Sequence, residues 1–193
     1  MSPTKILTVV IFIGALTFGY FLYDSSNSTI EEAKEIERVE SMVKSKLELI
    51  RDAQIAYQGT YGDYADTWEK LIAYVDTGKI WLIQRTEKIT VLAYQQEKSE
   101  FVYDTLGFKT VRDSLFNTSG FNPQNLPRLP HAPEKYFSLY AKDSVRSGVN
   151  VDYVEVVDTY PFDRTRTEDN EIKNRRPLRF GSRTEITTSG NWN

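Results

Sequence analysis

The chain of 193 residues contains no cysteine, one histidine and two methionines. Without a thiol there is no disulfide, no Fe–S cluster, no thiolate nucleophile and no cysteine-based zinc site, and one imidazole cannot supply the histidine pairs of most catalytic zinc centres. No glycine-rich phosphate loop of either common spacing occurs, which removes the usual foothold of nucleotide chemistry. A net charge of −3 and a pI near 5.4 argue against nucleic acid as a partner. The lack of cysteine does not locate the chain, because a thiol-free protein suits reducing and oxidising compartments equally. What is present, 40% hydrophobic, 26% charged and 13% aromatic residues, suffices for one ordinary domain.

Between Lys5 and Asp24 the 18 residues 6–23 carry no charge. At about 1.5 Å per residue they reach roughly 27 Å, close to the hydrocarbon thickness of a bilayer, so they predict a single-pass transmembrane anchor in contact with lipid. Phe18, Tyr20, Phe21 and Tyr23 cluster at the end of the run, where aromatic rings favour a membrane–water interface. A cleaved signal peptide would have a shorter apolar core and a small-residue exit, whereas this run leaves through Tyr-Phe-Leu-Tyr-Asp and reads as a signal-anchor. Lys5 on one flank, and no Lys or Arg before Lys34 on the other, predict a cytoplasmic N-terminus. Residues 24–193 would then lie outside the cytoplasm, periplasmic in a Gram-negative envelope. The sequons at Asn27 and Asn117 matter only where glycosylation machinery exists.

Residues 24–29, Asp-Ser-Ser-Asn-Ser-Thr, bond readily to their own backbone and predict a polar break. Ser28 with Glu31, or Thr29 with Glu32, makes a capping box, so a helix is expected from about residue 29. Ile36, Val39, Val43, Leu47, Ile50 and Tyr57 recur at mostly three- and four-residue steps, and Gly59 supplies the stop. The first half of this helix reads as a stalk. Ile36, Val39, Val43 and Ile50 are its candidate self-association positions, on a seam that Lys46 interrupts; a lone amphipathic helix is the alternative.

Asp66 with Glu69 predicts a second capping box ahead of a short helix holding Trp68, Leu71, Ile72 and Val75, closed by Gly78. Beyond Lys79, β-branched and aromatic runs at 80–83, 89–94, 101–103 and 108–111 predict antiparallel strands. Residues 117–135, with four prolines between 123 and 133, form either an extended connector or a wrapped loop. A strand at 149–157, a polar stretch at 163–176 and a short strand around 178–187 follow, and Trp192 stands near the end. The expected fold is α+β: an N-terminal transmembrane helix, then a long amphipathic helix and a short helix packed on a mainly antiparallel sheet. Its expected organisation is a tail (1–5), an anchor (6–23), a polar break and long helix (24–58) and a domain (59–193).

Candidate chemistry is sparse. His131 sits among the prolines with no serine nucleophile in a recognisable context. Ser41-Met-Val-Lys44 matches a Ser-x-x-Lys pattern but lacks both companion motifs. Glu168-Asp-Asn-Glu171 offers oxygen ligands without the glycine of a calcium loop. Catalytic residues, metal and cofactor are therefore expected to be none. The sharper feature is Lys173, Arg175, Arg176, Arg179 and Arg183, five basic residues with no acid among them, a candidate surface for an acidic partner.

The order of apolar run, long helix, the turn Ala56-Tyr57-Gln-Gly-Thr-Tyr61-Gly62-Asp-Tyr64, short helix and sheet resembles type IV pilin-like proteins and pseudopilins over residues 6–112. That resemblance implies a filament subunit. Gln84–Ile89, Asp104–Gly107 and Arg179–Glu185 are similar to uncharacterised single-pass envelope proteins of Bacteroidota, which implies a location and no activity. Together these readings predict a non-enzymatic, membrane-anchored envelope protein that acts as a structural or assembly component. Its partners would be the bilayer and a protein partner or a second copy, with no nucleic acid and no small-molecule substrate. A pilin-like filament subunit and a sensor or ligand-binding domain, with a pocket lined by Tyr and Arg, are the alternatives.

Overall fold

A computed structural model describes residues 3–91, 97–116, 121–146 and 148–192, while the side chains of 3–10, 23–28, 90, 91, 97 and 98 lie outside the description. The sequon residue Asn117, the start of the proline-rich segment (117–120) and positions 92–94 of one expected strand fall among the residues not described. The chain divides into two compact units, Met1–Met42 and Val43–Asn193. This boundary falls inside the first helix rather than at residue 59.

Helix α1 spans Pro3–Tyr61. Its backbone stays helical through 24–29, where a break was expected. Polar residues of middling helix propensity cost well under about 1 kcal/mol each relative to alanine, and this stretch holds neither glycine nor proline to stop a helix. Among the described residues no helix is long and apolar enough to cross a membrane. The apolar part of α1 with described side chains is residues 11–22, which at 1.5 Å each reach roughly 18 Å against roughly 30 Å of hydrocarbon. Residues 6–10 and 23 of the expected anchor have side chains outside the described set. The transmembrane helix in the expected fold is corrected accordingly. The single-pass signal-anchor, its orientation, the envelope location and the bilayer as partner depended on it and are not carried further.

The α+β character with antiparallel sheets holds. From Val43 onward, α1 buries Val43, Leu47, Ile50 and Ala53 at three- and four-residue steps, so this stripe is the helical wall of the second unit's core. α1 ends at Gly62, three residues beyond the expected stop. The Gly62 φ is +94°, a left-handed conformation that glycine adopts without a Cβ penalty, and its N–H donates to the Gln58 carbonyl at 2.8 Å. The following turn is clasped by Gln54, which is fully buried. Its amide nitrogen donates to the Ala65 carbonyl at 3.0 Å and its amide oxygen accepts from the Ala65 N–H at 2.9 Å. Helix α2, Trp68–Thr77, then packs Leu71, Tyr74 and Val75 inward, and the Tyr74 hydroxyl donates to the Ala56 carbonyl of α1 at 2.8 Å. The expected capping box does not form: Thr67 is the N-cap, without a side-chain cap bond, and Asp66 pairs with Lys70 at 2.8 Å.

Two sheets replace the single one expected. Strands β1 (Lys79–Val91) and β2 (Glu97–Thr110) pair antiparallel as a long two-stranded ribbon. After a short helix α3, Val111–Leu115, the proline-rich segment proves to be a wrapped loop. Leu126, Leu129 and Ala132 are buried, the Phe137 N–H donates to the Pro127 carbonyl, and Arg128 bridges Tyr136. Strands β3 (Ser138–Arg146), β4 (Val149–Val157) and β5 (Arg179–Gly181) form the second sheet in that order. β4 is central, and its last four residues are all buried, as a strand covered on both faces requires.

The seam lysine has a use within this core. Lys46 reaches the wrapped loop and donates to the Asn125 carbonyl at 2.7 Å. Burial, with the Arg128 charge adding to it, lowers its pKa from 10.5 to about 8. The folded value lies below the unfolded one, so between about pH 8 and 10.5 the unfolded chain binds more protons and stability rises with pH. The unfolding free energy of the wild type from urea titrations should gain on that of Lys46→Met across that window by on the order of 1 kcal/mol, a figure discounted for partial solvent exposure. Parallel pH profiles for the two proteins would contradict this. Gln54→Met keeps the volume and strands both Ala65 groups; a loss of about 2–4 kcal/mol in chemical denaturation is expected.

Candidate functional site

The predicted basic segment meets the sheet at Glu155 of β4. Glu155 is buried, and its neighbours across the sheet are Tyr140 of β3 and Gly181 of β5. Arg183 Nε donates to Glu155 Oε1 at 2.7 Å, and its guanidinium lies 4.8 Å from the centre of the Tyr140 ring. Arg179 Nη1 stands 3.7 Å from Glu155 Oε2, while its Nη2 donates to Glu168 at 2.5 Å. Gly181 makes this geometry reachable: its φ is +78°, and a Cβ there would stand 2.0 Å from the Val154 carbonyl oxygen. The C-terminal residues hold the other side of β5. Asn191 accepts from the Arg179 N–H through Oδ1 at 3.0 Å and donates through Nδ2 to the Pro177 carbonyl at 3.0 Å. Trp192 packs back, half-buried, beside Gly190.

Glu155, Arg179 and Arg183 form a wall shared by two open clefts. One, of about 540 Å³, continues along Asp158, Arg166 and Glu168. The other, of about 460 Å³, gathers Lys173 and Arg176 as well. Four of the five predicted basic residues therefore come together. Arg175 does not line either cleft; it faces Asp163 instead. Burial alone would raise the Asp163 carboxyl, but the Thr165 hydroxyl and N–H at 2.7 and 2.8 Å, with Arg166 and Arg175, hold it below its ordinary value. The arginines here are already engaged. Arg176 Nε donates to the Asn170 carbonyl at 2.7 Å, and the Glu155 carboxylate is held by two guanidiniums. Chemically, this cluster ties an irregular segment to a sheet.

The remaining candidates are dispersed. His131 Nε2 lies 2.8 Å from the Tyr160 carbonyl, and its ring stacks on Tyr160 and meets the edge of Phe162. Ser41 is exposed on α1 and Lys44 is half-buried there. Glu168 is spent on Arg179, Glu171 is exposed, and among the described residues no group of three metal-ligating side chains occurs. Of the self-association stripe, Val39, Val43 and Ile50 are buried and Ile36 is half-buried.

One surface was not anticipated. On the β1–β2 ribbon the rungs Trp81↔Phe108, Ile83↔Thr105, Arg85↔Tyr103, Glu87↔Phe101 and Ile89↔Ser99 share one face, and a bulge at Leu82/Ile83 keeps the two strands in step. Trp81 meets Phe108 edge-on at 5.7 Å, and the Arg85 guanidinium lies 3.7 Å from the Phe101 ring centre. The six apolar and aromatic side chains of this face are 41–66% exposed. The opposite face carries Gln84, Thr86, Lys88, Glu100 and Asp104 together with the exposed Leu82 and Val102, so it is the wetter side and holds no aromatic ring, and nothing described in this chain covers the aromatic side. The sequence placed short strands at 80–83 and 89–94 and missed that 84–88 continues the same strand, because Gln-Arg-Thr-Glu-Lys has no apolar alternation of its own.

No family model matches this chain, and no curated protein or solved structure matches it either.

Removing the buried member of the ionic cluster tests its tying role. Glu155→Gln should lower stability by about 2–3 kcal/mol by leaving the Arg179 charge poorly compensated, whereas Arg183→Met, at a more exposed partner, should cost under about 1 kcal/mol. Equal costs in thermal or urea melts would refute a cluster centred on Glu155.

Proposed function

We propose that this chain is a structural or assembly component that works through protein–protein contacts, and that the aromatic face of the β1–β2 ribbon is the contact surface. The observation that carries this reading is the uncovered face itself. Soluble proteins rarely expose contiguous apolar patches of several hundred Å², and those that do use them for binding. Trp and Tyr on a strand framework supply large contact area with few rotatable bonds, and Arg85 adds a residue type favoured at interface centres. A two-stranded ribbon is also marginal by itself, so cover on one face would stabilise the element that provides the contact. The basic clefts support this role less well, because Arg179 and Arg183 on their shared wall are paired with Glu155 and Glu168 within the chain.

Photo-crosslinking in the source cells distinguishes the two faces. A photoreactive residue in place of Tyr103 or Ile83 should give discrete protein adducts several times more abundant than the same residue at Gln84 or Thr86 on the wet side. Equal yields from both faces would remove the ribbon as the contact surface.

A further inference from the structure

The aromatic face of the ribbon carries an order that its composition does not reveal. Four consecutive rungs read Ile83/Thr105, Arg85/Tyr103, Glu87/Phe101 and Ile89/Ser99. Read from the other end, apolar again comes first on β1, then an ionic residue, then the opposite ion, then apolar. On β2 the order is small hydroxyl, aromatic, aromatic, small hydroxyl in either direction. The block is a palindrome in chemistry, with its centre between the Arg85 and Glu87 rungs. A palindromic face is what an isologous two-fold contact requires, since each residue must find its complement on an identical surface.

We infer that the occupant of this face is a second copy of the same chain, stacked ribbon on ribbon; this inference rests on the contact reading above. The two-fold axis lies between the ribbons, runs across the strands and passes between the Arg85 and Glu87 rungs. Each β1 then lies over its own copy running the opposite way, at the roughly 10 Å spacing of packed sheets. Ile83 comes over Ile89 of the second copy, Arg85 over Glu87, Tyr103 over Phe101, and Thr105 over Ser99. Both charges on the block meet an opposite charge, twice over by symmetry. A ribbon slid by one rung would place Arg85 over Arg85 of the second copy, so the ion pairs also set the register. The extent is sufficient. The four apolar and aromatic side chains of the block expose on the order of 450 Å², and Trp81 and Phe108 beyond its end bring the face to on the order of 700 Å², against roughly 800 Å² per partner in a stable interface of standard size.

The test uses the purified full chain, followed by sedimentation velocity across concentration. The wild type should sediment as a dimer at high concentration. Arg85→Glu and Glu87→Arg should each weaken the dimer by about tenfold or more, because each puts like charges over one another twice. The double variant Arg85→Glu/Glu87→Arg restores the complement and should recover most of the loss, while Lys88→Glu on the wet face should change nothing. The cysteine-free sequence permits a second measurement that does not depend on those variants. Ile83→Cys and Ile89→Cys chains, mixed and treated with a short bismaleimide, should give the mixed 83–89 crosslink in an excess over either 83–83 or 89–89 product well beyond the statistical advantage that random pairing gives a mixed pair. A wild type that stays monomeric up to its solubility limit, single variants whose loss the double does not recover, or crosslinks with no preference for the mixed pair would each overturn the second copy as occupant. If the purified chain is monomeric while photo-crosslinks remain confined to the aromatic face in cells, the face binds a different protein: this inference fails and the contact reading stands. If neither appears, both fail.

Discussion

A ribbon of two strands has no second layer of its own, and that constraint governs how this chain is read. Three-stranded β3–β4–β5 solves the problem locally: β4 is paired on both edges, and Val154, Val156, Leu178 and Phe180 are buried in the core. β1 and β2 have the same antiparallel pairing and a longer register, yet Trp81, Ile83, Tyr103 and Phe108 stay open to water. Exposing such side chains forgoes roughly 25 cal/mol for each Å² of apolar area left uncovered. One face richer in apolar and aromatic side chains is the pattern of a half-buried sheet, and among the described residues nothing covers that face.

The rest of the second unit is organised so that the ribbon need not contribute to its core. α1 and α2 each bury an apolar stripe, the Tyr74 hydroxyl of α2 bonds the Ala56 carbonyl of α1, and Gln54 closes the turn between them by bonding both backbone groups of Ala65. The wrapped proline-rich loop carries Leu126, Leu129 and Ala132 inward and takes its bond from Lys46. At the opposite end of the sequence, Glu155 collects Arg179 and Arg183 and so holds a segment with almost no regular structure against β4. A charged run of this kind looks like a binding surface when read as a string. In three dimensions it is an internal truss whose outward faces form two shallow clefts.

Much of the fold was legible because the signals were local. The amphipathic stripe of α1, the short α2 and strand β4 follow from side-chain period alone, whereas β1 and β2 were each read as two short strands. What escaped depended on distant partners. β3 went unread because Ser138–Arg146 alternates weakly and ends in exposed, charged residues; β4 alone makes it a strand. Gly59 looked like the helix stop, but only Gly62 takes the left-handed conformation that ends α1. The seam position of Lys46 suggested a flawed coiled coil, whereas the lysine reaches a loop 79 residues away. For the candidate site the division is sharper still. Trp81, Ile83, Ile89, Phe101, Tyr103 and Phe108 fell in expected strands, whereas Arg85, Glu87, Ser99 and Thr105 lay outside them, and the palindrome appears only when Arg85 is set against Tyr103 and Glu87 against Phe101, which requires the register.

On the proposed reading, the aromatic face of the ribbon is covered when the protein works. Hydrogen exchange of the backbone amides measures this directly, with β3 and β4 as an internal reference in the same molecule. Raising protein concentration should bring protection of β1 and β2 towards that of β3 and β4, because a covered ribbon opens less often. If β1 and β2 exchange rapidly at every concentration, with purified protein alone and with cell extract added, while β3 and β4 remain protected, the face is not a contact surface and the account is wrong.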